Sequence, residues 1–176
     1  TERRFDALYI LDIEEKDTLS NFVTSSATQV INVSNTVDRF TNRNMDSSFG
    51  AAYFPDVVLE DPSTKTNVQC PPSVAVLGAL SFNDKVAHPW FAPAGFNRGA
   101  LSSVIESQVK LNQANLDELY EADINPLATF GHTPQVVVFG QKTLLANKSS
   151  LDRVNVRRLL IEIRREVRTV ANTLLF

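Results

Sequence analysis

From Val156 to Leu174, apolar residues fall at Val156, Leu159, Leu160, Ile163, Val167, Val170, Ala171 and Leu174, the spacing of one helix face. No other feature constrains the fold as tightly. A helix this long and this one-sided must lay its stripe on something. Arg157, Arg158, Arg164, Arg165 and Arg168 cluster largely away from the stripe, and Ser149 or Ser150 can cap the first turn. Residues 151–176 hold six arginines against Asp152, Glu162 and Glu166, in a chain whose net charge is −3. A basic helix thus closes an otherwise acidic chain. Three roles fit it. The arginines can form a solvated face paired with Glu162 and Glu166, at roughly a few tenths of a kcal/mol per pair. They can contact nucleic-acid phosphates, although the whole chain is acidic and no recognition motif accompanies them. They can dock on an acidic protein surface, where complementary charge sets register and approach.

At 176 residues and 43% hydrophobic composition, the chain can bury a real core, and a single domain over residues 1–176 is expected. No apolar run reaches the roughly 18 residues of a membrane span, and no signal-peptide pattern is present. Thr1 is not an initiator Met, so a processed chain or part of a longer one is expected. The single cysteine, Cys70, excludes an intramolecular disulfide framework and suggests a reducing site of synthesis.

Strand and helix signals alternate upstream of the closing helix. Phe5–Ile13 reads as a buried strand, and Ser26–Phe40 as a helix with Val30, Val33, Val37 and Phe40 on one face. Phe49–Leu59 reads as strand interrupted at Pro55, followed by a turn cluster from Glu60 to Thr66. Pro71-Pro72-Ser73 opens a helix over 72–84 that is apolar on every side, so burial all round is expected. The loop His88–Gly99 contains Trp90, Phe91, Pro93 and Phe96 and should pack against the body. A strand within Val104–Leu111 and a helix from Asn115 to Ala122 follow, the latter with Asp117 and Glu118 in its first turn and ended by Ile124-Asn-Pro126. Gln135–Phe139 is a buried strand, closed by Gly140. The fold class is α/β (mixed α+β), a mixed sheet flanked by helices.

Catalytic and ligand-binding patterns are missing. Cys70, His88 and His132 are too far apart in sequence to suggest zinc, whose closed sites take four clustered ligands. Gly140-Gln-Lys-Thr143 lacks the glycine spacing of a phosphate loop. No Gly-x-Ser-x-Gly elbow occurs, and nothing marks a carboxylate pair. No catalytic, cofactor or metal residues are assigned, and an enzyme is not expected.

Several segments, in order, resemble contractile tail sheath proteins of phages and related injection machines. Phe5-Asp-Ala-Leu-Tyr-Ile-Leu-Asp12 is similar to the family's first core strand. Ser48-Phe-Gly-Ala-Ala-Tyr-Phe-Pro55 resembles its Ser-x-x-Ala-x-Tyr-x-Pro segment, and Cys70-Pro-Pro-Ser73 with Val74–Leu80 its Pro-Pro-Ser helix. Pro89-Trp-Phe-Ala-Pro-Ala94, Leu111-Asn112, Ile124-Asn-Pro126, Val138-Phe-Gly-Gln-Lys-Thr-Leu144 and Val154-Asn-Val-Arg-Arg-Leu159 complete the series. Residues 14–47 have no clear counterpart, and Gly140-Gln-Lys-Thr143 replaces the commoner Gly-Ala-Arg-Thr. The resemblance implies the conserved core domain of a sheath subunit without its terminal arms. It implies a structural protein that polymerises as a six-fold helical sheath around an inner tube and contracts to drive the tube through the target envelope. Other copies, the tube protein, baseplate and tail terminator are the implied partners, with no cofactor, no direct nucleic acid and no stable membrane insertion. The implied location is the virion tail, assembled in the host cytoplasm. In that setting Arg157, Arg158, Arg164, Arg165 and Arg168 would face the tube or a neighbouring subunit. Val154, Val156, Leu159, Leu160 and Ile163 would pack the helix on its sheet, and Trp90, Phe91 and Pro93 would anchor the loop. The alternative is a nucleic-acid-binding module using the same helix.

Overall fold

The structure is a computed structural model that describes residues 5–13, 32–131 and 133–175. A four-stranded mixed sheet forms its centre, in the order β1-β2-β6-β7. Strand β1 (Tyr9–Asp12), β2 (Gly50–Phe54) and β6 (Ile124–Thr129) run parallel, and β7 (Val136–Val138) lies antiparallel to β6. A second, antiparallel sheet has the order β4-β3-β5, from β3 (Val57–Glu60), β4 (Asn67–Cys70) and β5 (Val104–Ser107). The chain crosses between the sheets at Pro55, where the Phe54–Pro55 bond is cis.

Strand β2 is buried along its whole length, so its alternating side chains serve two cores. Ala51 and Tyr53 face helix α2 (Pro72–Val86), together with Leu127, Val136 and Val138. Ala52 and Phe54 face the other way, towards Val37 and Phe40 of α1 (Val33–Thr41) and Leu119 of α3 (Gln113–Glu121). Helices thus cover both faces of the mixed sheet, as expected. A fully buried Phe or Leu such as Phe54 or Leu119 contributes about 1.5–3 kcal/mol of transfer free energy.

Helix starts are capped by side chains. Asn32 accepts from the Asn35 amide at the head of α1, and Asn112 and Asn115 form a reciprocal box at the head of α3. Because that cap places the start of α3 at Gln113, Asp117 and Glu118 lie beyond the first turn, a correction to the sequence expectation. The head of α2 begins at proline and has no cap of its own; Asp12, at the end of β1, reaches across instead. Its carboxylate accepts from the Ser73 amide at 2.8 Å and the Ser73 hydroxyl at 2.6 Å.

Other expectations are revised. Strand β1 is an edge strand and only half-buried, because its outer side lacks a neighbour among the described residues. The expected Ser26–Phe40 helix starts at Val33, capped by extended Asn32; residues 26–31 lie outside the described residues. Strand β4 had no sequence signal, being largely polar and exposed. Ile124-Asn-Pro126 follows the end of α3, as expected, and also opens β6, a strand with no sequence expectation, where the Pro126 carbonyl accepts from Phe139. Helix α2 is not buried all round: Ala75, Val76, Ala79 and Leu80 pack inwards, while Val74, Leu77, Phe82 and Val86 are exposed. The inward side packs on the sheet, and the outward side is left uncovered by the described residues. In the 88–99 loop Pro93 is buried and Phe91 half-buried beneath the Arg98 guanidinium, but Trp90 is exposed and stacks on His88 at 4.4 Å. His132 and Phe176 lie outside the described residues.

Candidate functional site

Helix α4 (Val154–Leu175) is launched from a joint built around Asn125. Residue Asn125 is buried in β6, and its amide donates to the carbonyls of Ala52 at 3.0 Å and Lys142 at 2.8 Å. Its Oδ1 accepts from the Lys142 amide at 2.6 Å. One side chain therefore ties the central sheet to the 141–144 segment. Gly140 makes this possible, since a Cβ there would stand 2.8 Å from Asn125 Oδ1. The same segment then holds the start of the helix. Gln141 accepts from the Val154 amide at 2.8 Å, and buried Thr143 bonds the carbonyls of Asp152 and Leu151. Ser149 caps a 3₁₀ turn, Ser150–Asp152, that leads into α4 rather than capping α4 itself.

The five arginines divide into two groups. Arg157 is 8% exposed, not displayed to solvent as the sequence suggested. Its guanidinium donates to the Ser48 hydroxyl and lies 4.0 Å from the centre of the Phe49 ring. Burial, and then the charge of Arg164, pull its pKa below the ordinary arginine value, yet it stays cationic. Arg158 binds both carboxylate oxygens of Asp84 on α2, at 2.7 and 2.5 Å. Its charge also reaches Tyr53, whose phenol burial pushes well above its usual range. These two arginines, with Val154, fasten the first turns of α4 to the body.

Arg164, Arg165 and Arg168 are exposed. Arg164 reaches the Phe5 carbonyl at 3.5 Å and stands 5.4 Å from its ring. Arg165 pairs with Glu162 at 2.5 Å and Glu166 at 3.4 Å, and Arg168 has no ion-pair partner among the described residues. The apolar stripe departs from expectation in the same direction. Val154 is fully buried, and Val156 and Leu159 are partly covered, but Leu160 is 40% and Ile163 47% exposed. Further along, Val167, Val170 and Leu174 are open to solvent. Asn125, Ser48, Phe49 and Asp84 were not singled out as partners of this helix. The only hint lay in the Ile124-Asn-Pro126 and Ser48-Phe-Gly segments, whose wording carries the family resemblance.

No protein-family model matches the chain. Relatives are found directly. The chain is 29% identical to the tail sheath protein of Enterobacteria phage T4 over 160 residues, 90% of this chain and 24% of that protein. It is 38% identical to the tail sheath protein of Vibrio phage KVP40 over 101 residues, 57% of this chain and 15% of that protein. It therefore spans less than a quarter of the length of either curated relative. Among solved structures, the sheath complex of the extracellular contractile injection system PVC, in its contracted state, superposes with a TM-score of 0.69. That match covers 86% of this chain and 40% of the other at 22% identity. The contracted helical sheath of the anti-feeding prophage gives 0.62, covering 85% and 46% at 20% identity, a likeness of fold. The chain is a relative of the phage tail sheath proteins and carries the fold of contractile-injection-system sheaths.

Proposed function

We propose that residues 1–176 act as one core domain of a structural sheath subunit. It polymerises around an inner tube and contracts to drive that tube through a target cell envelope. The observation that carries this reading is the sequence relationship to phage tail sheath proteins over 90% of the chain. The apolar stripe of α4, uncovered by the described residues, fits it, because neighbouring copies in a lattice can cover such a face. The partners in this reading are further copies of the subunit, the tube, the baseplate and a tail terminator. Its place is the virion tail, after assembly in the host cytoplasm. Work comes from the difference between two packings of the same subunits and needs no bound cofactor. Partner contact falls to Arg164, Arg165 and Arg168, since Arg157 and Arg158 are occupied within the subunit. Negative-stain imaging of the full-length protein, alone and with its tube partner, is the test. Rings or sheaths are expected; their absence under both conditions sinks the reading, and salt-dependent binding to random duplex DNA would favour a nucleic-acid module instead.

A further inference from the structure

Along one side of α4, Arg157, Arg164 and Arg168 stand in a row facing a groove of about 480 Å³. Its remaining walls are apolar, Phe5, Ile161 and Val167 among them, and no acidic side chain lines it among the described residues. The Arg157 Nε atom is buried there without a partner among the described residues. Three like charges share this wall, and burial, then the charge of Arg164, lower the pKa of Arg157; among the described residues the wall has no counter-charge. Elsewhere the chain carries a match. The outer side of α3 presents Asp117 and Glu121 one turn apart, with Tyr120 45% exposed between them. Arg164 and Arg168 are also one turn apart, and residues at that spacing lie about 6 Å from each other on a helix surface. Gln113 donates to Asp117 at 2.9 Å, while Lys142 is directed to Asp123, the Tyr120 carbonyl and one face of the Tyr120 ring, 3.7 Å from its centre, rather than to either acid. Within one chain the two surfaces are separated by the central sheet. Leu119 of α3 packs into the core on one face, and Val154 of α4 into the core on the other.

We propose that the arginine groove of α4 receives α3 of a second copy, pairing Arg164 and Arg168 with Asp117 and Glu121 and lodging Tyr120 against the apolar wall. The contact joins two different surfaces, so it runs head to tail and propagates into a ring or helix instead of closing as a pair. It rests on the sheath reading above and specifies one lattice contact within it. The charge pairs set register, and the aromatic anchor supplies buried area.

A charge swap in the full-length protein tests it. Arg164→Glu with Arg168→Glu is expected to raise the protein concentration needed for polymer formation about tenfold, because repulsion replaces attraction at both positions. Asp117→Lys with Glu121→Lys should do the same. The combined four-substitution chain should return to within about twofold of the parent, as complementary charge is restored in reversed sense. All three variants should melt within a few degrees of the parent, since the residues are exposed. Normal assembly of either two-substitution variant overturns the proposal. So does failure of the combined chain to recover while the parent polymerises, which leaves the sheath reading standing. A parent protein that forms no polymer, alone or on tubes, overturns both.

Discussion

In its first turn α4 buries Val154 completely and Arg157 almost so, whereas every described residue from Ile163 onwards is exposed. The apolar stripe runs through both halves without a break, and so does the run of arginines. Local sequence therefore makes the two halves equally helical. What separates them is tertiary: the 141–144 segment, Ser48, Phe49 and Asp84 meet the first half, whereas among the described residues the second is met by Phe5, at Arg164 and beside Val167. An amphipathic pattern specifies that a face will be covered, and by itself says nothing about whose atoms cover it.

Four substitutions grade that contrast, from the largest effect to the smallest. Val154→Asp places a carboxylate in the core and should cost about 3 kcal/mol or more, seen as a large fall in the urea midpoint. Arg157→Ala removes a hydrogen bond and a ring contact from a nearly closed site and should cost about 2 kcal/mol by the same measurement. Asp84→Asn weakens the tie between α2 and α4 across a half-exposed pair, so at most about 1 kcal/mol is expected. Val170→Ser in the uncovered half should change the melting of the isolated chain by under about 0.5 kcal/mol. A loss at Val170 as large as that at Arg157 would mean that the second half packs on its own subunit in solution, and the contrast would collapse.

A fifth measurement sets a baseline for acid sensitivity away from α4. Hydrogen bonds from Ser63 and Thr64 hold the Asp61 carboxyl down at about 2, against an ordinary value of 3.8. The folded pKa is depressed, so its contribution is complete above the ordinary value and is lost as pH falls through about 2. Asp61→Asn should flatten only that acid limb of the stability curve. A matching change near neutral pH would show that the turn does something other than hold this carboxylate.

Where the sequence was readable, one residue type or spacing left few choices. Val136-Val-Val138 between turn residues could hardly be other than a buried strand, and the period of α4 could hardly be other than a helix. The misreadings came from residues judged by their usual habits. Asn125 and Pro126 read only as the end of a helix, yet Asn125 uses its amide to bind two carbonyls inside a sheet. An arginine is presumed to be solvated, yet Arg157 found a hydroxyl and a ring waiting in the 48–49 segment. Neither partner is near its counterpart in sequence, so no local window could have revealed them. The outward apolar face of α2 was misread as buried for a related reason. Hydrophobicity alone does not distinguish a core from an unfilled interface.

The free half of α4 has a mechanical meaning. A rod gripped at one end is a lever. Beyond Arg164 it extends roughly 16 Å at the rise of an α-helix. The grip closes on Ser48 and Phe49, immediately before β2, the strand at the centre of both cores. A sideways load on its exposed residues is thus delivered beside the strand shared by both cores. A partner that grips those residues would pull directly on the central sheet.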